Sequence, residues 1–202
     1  MTPTGLAKLI RARAEGPGRL LVALAGPPAS GKSTLAAALA EALSPGARVV
    51  PMDGFHYDDA VLEARGLRAR KGSPPTFDAM GFLHLLRRLR EEEEVAIPIF
   101  DRAMELSRAG ADIVGPEDRI LIVEGNYLLL DEDPWRAMAP MFDLTVFLDV
   151  PEAELVRRLT ARWKHHGRED QAARDWIESN DLPNALTVIT RSRPAEITLR
   201  NL

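Results

Sequence analysis

The stretch LLVALAGPPASGKSTLAAALA, residues 20–40, decides the fold of this chain. Its first six residues form a short, continuous apolar run, which is typical of a strand buried on both faces of a parallel sheet. A loop of glycine, proline, alanine and serine follows. From Lys32 onward the sequence is rich in Ala and Leu, so it predicts a helix, which Ser44-Pro45-Gly46 ends. The stretch is therefore a strand, a glycine-bearing loop and a helix, in that order.

The loop, residues 26–33, matches the pattern G-x-x-x-x-G-K-[ST] at every fixed position. Glycines let such a loop curl until its backbone N–H groups converge on a phosphate, and the helix start adds its positive dipole end. In this pattern the lysine, Lys32, reaches the β- and γ-phosphates, and the hydroxyl of Ser33 is a ligand of Mg²⁺. No N-K-x-D motif for reading guanine is present, so we expect ATP. The residues predicted to bind it here are Gly26, Ala29, Ser30, Gly31, Lys32, Ser33 and Thr34.

Length and composition set the broad class. The chain has 202 residues, enough for one sizeable domain, which we take as residues 1–202. A net charge of −4 gives no reason to expect nucleic acid as a partner, and the absence of cysteine excludes thiolate chemistry. No apolar run approaches the roughly 20 residues that cross a bilayer, so we expect a cytoplasmic protein without a membrane partner. Whether copies of the chain form a homo-oligomer stays open.

Apolar runs and helical periodicity alternate along the chain. Helices are predicted near the N-terminus, from the N-cap Asp78 and after Pro151. Further strands are predicted at residues 47–52, 95–102, 119–124 and 142–150, with a short C-terminal edge strand at 195–200. This alternation favours an α/β fold, a three-layer α/β/α sandwich of the P-loop NTPase type with a mainly parallel five-stranded sheet.

Two carboxylates follow or end predicted strands, Asp53 in VVPMDGFHY and Glu124 in RILIVEG. Asp53-Gly54 is also a common hairpin-turn dipeptide, so this stretch has a second interpretation as two strands joined by a tight bend. Phosphoryl transfer to a hydroxyl needs one carboxylate near the metal and one that accepts the proton. The pair therefore favours a kinase over an ATPase that positions only water, or over a protein that binds nucleotide without transferring phosphate.

Several segments resemble the uridine kinase, pantothenate kinase and phosphoribulokinase group, in particular its bacterial nucleoside/nucleotide kinase-like (fructokinase-like) members: GPPASGKST, PMDGFHYDD, RKGSPPTFD, PIFDR and VEGNYLLL. The resemblance implies phosphorylation of a small-molecule hydroxyl that depends on ATP and Mg²⁺. It implies Asp53 as catalytic base and Glu124 as the carboxylate on the metal side. The segments DGFH and RKG are nearer to the corresponding segments of pantothenate kinases. PIFDR, in contrast, stands where those enzymes have a tyrosine-rich segment. A sugar such as fructose, a nucleoside and a pantothenate-like polyol all remain open as acceptors.

The acceptor pocket is predicted from the long segment 54–80 and from polar and aromatic residues near the strand ends. Four of these have structural alternatives: a loop hydrogen bond for His56, core packing for Tyr127, and mutual pairing for Asp101 with Arg102. The predicted acceptor residues are His56, Tyr57, Arg70, Lys71, Phe100, Asp101, Arg102, Asn126 and Tyr127.

A helical lid is predicted at about residues 157–172. Arg158, Arg162 and His166 recur every four residues after Pro151, so they share one helix face, which is either a phosphate-binding surface or a solvated one. In the resembled kinases the arginine that matches Arg162 contacts the ATP phosphates. The segment NDLPNA, residues 180–185, has turn chemistry, and its two asparagines are more often turn formers than ligands, so an approach of this segment to the nucleotide stays open.

Overall fold

The computed structural model describes residues 2–165, 167 and 169–200, and these residues form seven strands. In chain order the strands are β1 (Leu20–Ala25), β2 (Ala47–Pro51), β3 (Val95–Asp101), β4 (Leu106–Val114), β5 (Ile120–Gly125), β6 (Leu144–Asp149) and β7 (Ile197–Arg200). Five of them build one parallel sheet in the order β2-β5-β1-β6-β7. The predicted parallel sheet is confirmed.

Helices lie before, between and after these strands. In the described part of the chain they are α1 (Pro3–Arg13), α2 (Lys32–Ala42), α3 (Asp59–Ala64), α4 (Ala79–Glu91), α5 (Glu152–His165), α6 (Asp170–Trp176) and α7 (Leu182–Arg191). Helix α4 begins where the sequence predicts, because the side chain of Asp78 accepts a hydrogen bond from the backbone N–H of Gly81 at 2.8 Å. Short 3₁₀ turns occupy Met52–Phe55, Arg68–Arg70, Pro74–Thr76 and Trp135–Met141.

Strand β1 is buried on both faces, which explains its continuous apolar run. Leu21 and Ala23 belong to the core beneath α4, in contact with a cluster that includes Phe82. Val22 and Leu24 belong to the opposite core, which α1 and α2 cover. The sheet is thus the middle layer of a three-layer α/β/α sandwich, as the sequence predicts.

Strand β3 lies outside the sheet. It pairs with β4, which the sequence analysis missed, as an antiparallel hairpin with a register irregularity between Ile97 and Ile99. The assignment of residues 95–102 to a strand is right, but the fifth strand of the main sheet is the C-terminal β7. Pro98 lies at that irregularity, and proline removes a ladder hydrogen bond, so it suits such a hairpin better than a central strand.

Two predicted irregular segments contain helices. The acceptor-pocket segment 54–80 holds α3 and two 3₁₀ turns between its ends. Residues 180–185 are helical and not a turn, since a π-helix over Ile177–Asp181 continues into α7. Pro183 lies in the first turn of α7, directly after the π-helix.

The predicted lid, residues 157–172, consists of the end of α5 and the start of α6. Gly167 between them has φ +73°, a left-handed conformation that favours glycine. His166, the third member of the predicted basic face, lies outside the described residues. Among the residues that the structure describes, no helix is both long and apolar enough to span a membrane.

Candidate active site

The carboxyl ends of three neighbouring strands meet at one edge of the sheet. Glu124 in β5 is aligned with Pro51 at the end of β2 on one side, and with Leu24 near the end of β1 on the other. Asp53 follows Pro51 by two residues, in a 3₁₀ turn, and the glycine-bearing loop follows β1. Strand β2 pairs in parallel with β5, so the hairpin interpretation of VVPMDGFHY is wrong and the strand-end interpretation is confirmed.

Gly54 explains how the chain leaves β2. A Cβ atom at this position would collide with the backbone carbonyl of Pro98 in the hairpin, so only glycine permits this close approach. The hydroxyl of Ser107 in β4 also donates a hydrogen bond of 3.1 Å to the carbonyl of His56. The hairpin is therefore packed directly against the turn that carries Asp53.

The loop after β1 has the conformation expected of a phosphate cradle. Gly31 is the N-cap of α2 with φ +89°, and Ala29 has φ +62°. The ammonium of Lys32 lies 3.4 Å from the carbonyl oxygen of Pro27, to which it donates. Burial lowers the pKa of Lys32, and the nearby carboxylate of Glu124 acts against that shift. The lysine that the motif assigns to the phosphates is thus buried within the loop, at the start of α2.

Ser33 and Glu124 form an oxygen pair beside this lysine. The hydroxyl of Ser33 donates to Oε1 of Glu124 at 3.2 Å, and Glu124 is only 7% exposed. Burial raises the pKa of Glu124, while the charge of Lys32 opposes the shift. Hydroxyl and carboxylate oxygens are the ligands that Mg²⁺ prefers, and Mg²⁺ is usually held by one or two carboxylates together with substrate phosphates. The two side chains fit that ion in its usual setting with nucleotide.

Helix α5 brings two arginines to the cradle. Arg158 donates to the carbonyl of Ser30 at 3.1 Å and to Oε1 of Glu154 at 2.6 Å. Arg162 lines the same cavity, and burial, followed by the nearby charge of Arg102, lowers its pKa. These contacts place the two arginines on the cavity side of α5.

A cavity of about 620 Å³ connects the loop, the strand ends, the hairpin and the lid. Of the predicted nucleotide residues, Gly26 and Ser30 lie behind its wall, and the others line it. Asp53 and Glu124 line it as well. The predicted acceptor residues that line the cavity are His56, Lys71, Phe100, Arg102 and Asn126.

Four predicted acceptor residues do not line it: Tyr57, Arg70, Asp101 and Tyr127. Tyr127 is a core residue, fully buried, whose hydroxyl donates to the carbonyl of Gly72 at 2.6 Å. The ring of Tyr57 lies beneath the guanidinium of Arg65, 4.4 Å from the ring centre, and Arg70 is exposed.

Asp101 instead stabilises the turn of the β3–β4 hairpin. Its carboxylate accepts hydrogen bonds from the backbone N–H groups of Ala103 and Met104, and it pairs with Arg108. The suggested pairing of Asp101 with Arg102 is wrong, because Arg102 donates to Oδ2 of Asp53 at 2.7 Å.

Two uncharged polar groups in the cavity wall have unpaired atoms. His56 is stacked on Phe77 at 4.0 Å between ring centres and lies 5.1 Å from the ring of Phe100. Nδ1 of His56 and Oδ1 of Asn126 are buried and have no hydrogen-bond partner among the described residues. Burial lowers the pKa of His56 to about 4, so its imidazole is neutral near pH 7.

The structure adds cavity residues that the sequence analysis did not assign: Arg68, Gly72, Phe77, Glu105, Trp163, Trp176, Asp181 and Asn184. Trp163 donates to Oδ2 of Asp181 at 2.6 Å, which joins the lid to the helix before α7. Asp181 and Asn184 belong to the segment 180–185, and both line the cavity. The contact between Trp163 and Asp181 depends on tertiary packing. In the sequence, only the asparagines of the segment 180–185 pointed to this part of the site.

The fold and the cradle define a P-loop protein, and comparisons with known proteins agree. A family model described as an AAA domain matches residues 22–178. A Schizosaccharomyces pombe protein named “Putative uridine kinase” is 35% identical over 197 residues, covering 91% of this chain and 84% of that protein. A crystal structure of a “putative fructose transport system kinase” from Silicibacter sp. TM1040 is 47% identical with a TM-score of 0.93, covering 98% of this chain and 99% of the other.

A pantothenate kinase of Leifsonia xyli is 34% identical over 137 residues, which are 64% of this chain and 42% of that enzyme. The chain therefore belongs to a family of P-loop small-molecule kinases whose members include its uridine kinase-like and pantothenate kinase relatives.

Proposed function

We propose that this protein transfers the γ-phosphate of ATP to a hydroxyl group of a small molecule: a sugar such as fructose, a nucleoside or a pantothenate-like polyol. The observation that carries the proposal is the position of Asp53 and Glu124. They lie at the ends of paired strands beside the phosphate cradle, and both line one cavity. One carboxylate serves the metal side, and the other serves an acceptor, which a simple ATPase does not need.

The phosphates would be held by positive charge from two directions. Lys32 and the N–H groups at the start of α2 face them from the cradle, and Arg158 and Arg162 approach from α5. Phosphoryl transfer leaves little covalent work for the protein, so positioning and charge neutralisation supply most of the rate. We assign Arg162 to the charge that develops on the transferred group.

Ser33 and Glu124 would hold Mg²⁺, since both supply oxygen ligands next to the cradle. When bound, Mg²⁺ neutralises charge on the β- and γ-phosphate oxygens. The hydrogen bond between the two side chains keeps the serine hydroxyl and the carboxylate together at the mouth of the loop.

Asp53 would act on the acceptor. Arg102 donates to one of its oxygens, Oδ2, and this contact orients the carboxylate. The other oxygen would accept the proton of the acceptor hydroxyl as the hydroxyl oxygen bonds to the γ-phosphorus and the bond to ADP breaks. Atoms and charge then balance as phosphorylated acceptor, ADP and one proton on Asp53.

The names of the relatives point to different acceptors. The S. pombe protein is named for uridine, the Silicibacter protein for fructose and the L. xyli protein for pantothenate. What these compounds share is a hydroxyl group on a small polar molecule, which supports the reaction class more than any one acceptor.

The test is ADP release with ATP and Mg²⁺ across a panel of sugars, nucleosides and pantothenate, with phosphorylated product identified by mass spectrometry. We expect at least one acceptor to raise ADP release well above the rate without acceptor. If none does, while slow ATP hydrolysis persists, the protein is an ATPase that drives or regulates a partner, and the kinase proposal fails.

Other sequence predictions stay predictions. They are that residues 1–202 form a single kinase domain, that the protein is cytoplasmic and that nucleic acid is not a partner, while the oligomeric state stays open. Size-exclusion chromatography with light scattering would decide the oligomeric state.

A further inference from the structure

Three cationic side chains stand on the acceptor side of the cavity, away from the cradle: Arg68, Lys71 and Arg102. An acceptor with a carboxylate or phosphate requires a cationic partner, and each of these side chains could supply one. Whether they are available for this depends on the carboxylates of the chain that surround them.

Lys71 is buried among carboxylates. Its ammonium lies 2.7 Å from Oδ1 of Asp59 and 2.9 Å from Oε1 of Glu105, and its side chain is only 8% exposed. Arg68 binds the other oxygen of the same aspartate, Oδ2, at 2.7 Å. A lysine with two carboxylate partners and little contact with water is already neutralised.

Arg102 also has a carboxylate partner, although its side chain is 54% exposed. It donates to Asp53 at 2.7 Å, and its guanidinium lies 5.6 Å from the ring centre of Phe100. Each of the three cations therefore has an ion-pair partner within the chain. The three cations are matched by three carboxylates: Asp53, Asp59 and Glu105.

A charged acceptor would disturb this balance. Its carboxylate or phosphate would have to displace a carboxylate of the chain or lie beside one, and like charges placed together weaken binding. Two other polar side chains of the wall, those of His56 and Asn126, are uncharged. Nδ1 of the neutral His56 and Oδ1 of Asn126 are unpaired and buried, and hydroxyl groups can satisfy such atoms.

Given the proposed kinase function, on which this inference rests, we propose that the acceptor is an uncharged polyhydroxyl compound, a sugar or nucleoside and not a carboxylic acid or phosphate. We further infer that Glu105 determines this specificity, since it is the partner that the β3–β4 hairpin supplies to Lys71. Glu105 holds φ +54°, a left-handed conformation that is unfavourable for a residue with a side chain. The hairpin thus places this carboxylate in the cavity wall despite a local cost.

The first test compares acceptors that share their reactive hydroxyl but differ in charge. Suitable pairs are D-glucitol with D-gluconate, and pantetheine with pantothenate. We expect kcat/KM to be about 10²-fold higher for the neutral member of the pair that the enzyme uses. A preference for the charged member would overturn the inference and leave the kinase proposal intact. Failure of both members in every pair, and of all other acceptors, would instead remove the kinase proposal itself.

The second test changes the charge of the wall. Glu105→Gln removes one of the two partners of Lys71, so kcat/KM for the charged member should rise about tenfold while that for the neutral member changes less than about threefold. Asp112→Asn is the matched control, because it also converts a carboxylate of the hairpin to an amide, but Asp112 pairs with Arg48 outside the cavity. If Glu105→Gln leaves the ratio of neutral to charged turnover at the level of the control, Glu105 does not determine specificity.

Discussion

The hydroxyl of Ser33 donates a hydrogen bond of 3.2 Å to the carboxylate of Glu124, although 91 positions separate the two residues in the chain. One residue opens the helix after the cradle, and the other lies in the strand paired with β1. Parallel pairing places both at the carboxyl edge of the sheet, so the contact follows from the topology. It joins the two side chains proposed to hold Mg²⁺.

Glu124→Gln tests this metal assignment. The amide keeps the shape and can still accept from Ser33, but it removes the negative charge that favours a divalent cation. We expect the Mg²⁺ concentration for half-maximal turnover to rise about 10- to 100-fold. A magnesium titration at saturating ATP measures this. Glu92→Gln is the control, since Glu92 pairs with Arg88 on the surface, and an equal response of the two variants would contradict the assignment.

Asp53→Asn tests the proposed base. The amide retains the size of the side chain but does not accept the hydroxyl proton, so turnover should fall about 10²–10⁴-fold while ATP binding stays near normal. Steady-state kinetics measures the first quantity and calorimetric titration with a non-hydrolysable ATP analogue the second. Unchanged turnover would remove Asp53 from the catalytic role.

Arg162→Ala tests the lid. Loss of a cation that faces the transferred phosphate should lower kcat by about 10³-fold or more. The control is Lys164→Ala, an exposed cation on the same helix, which should leave kcat within about twofold because solvent screens its charge. A similar fall in both variants would mean that the helix, and not the guanidinium, carries the effect.

His56 makes stability depend on pH. Its pKa in the folded protein is about 4, below the ordinary value of 6.5, chiefly because burial disfavours the charged form. Between these values the unfolded chain binds a proton that the folded protein does not. The free energy of unfolding therefore falls as pH drops from about 6.5 to about 4, by up to about 3 kcal/mol from this residue, and is at its plateau above 6.5.

His56→Phe keeps an aromatic ring against Phe77 and removes this titration. The difference in unfolding free energy between the wild type and this variant should vary with pH across that window, as measured by urea denaturation. The control is His84→Gln, because His84 is exposed on α4. A difference that stays constant with pH would show that His56 is not buried in its neutral form.

Tyr127→Phe separates the two interpretations of that residue. Removing the hydroxyl leaves the carbonyl of Gly72 without this partner, so the free energy of unfolding should fall by about 1–2 kcal/mol. The KM for the acceptor should not change, since Tyr127 does not line the cavity. Tyr57→Phe is the control, because it also removes a tyrosine hydroxyl that does not line the cavity. A raised KM at unchanged stability would restore the prediction that Tyr127 contacts the acceptor.

Much of the site could be predicted from local patterns. The cradle motif specifies its own strand, loop and helix, and a carboxylate at the end of a buried strand must lie at the edge where the cradle lies. Asp53 and Glu124 were found in this way. The spacing of Arg158 and Arg162 placed the two arginines on one helix face but left open whether that face is solvated, and in the structure both line the cavity.

The identity of the acceptor wall could not be predicted in the same way. Sequence chemistry marked Tyr127 and Asp101 as acceptor residues, but one became a core residue and the other the support of a turn. It missed β4, and with it the role of Glu105, because no local periodicity shows that residues 95–114 form a separate hairpin against the turn of Asp53.

The sequence by itself thus determined the α/β class, the phosphate cradle and the two strand-end carboxylates, because short-range patterns of hydrophobicity and glycine specify strand, loop and helix. Tertiary structure alone decided which polar side chains face the acceptor and how their charges cancel. Ion pairs such as Arg102 with Asp53 and Lys71 with Glu105 join residues from distant parts of the chain, and their geometry exists only after the hairpin has packed against the sheet.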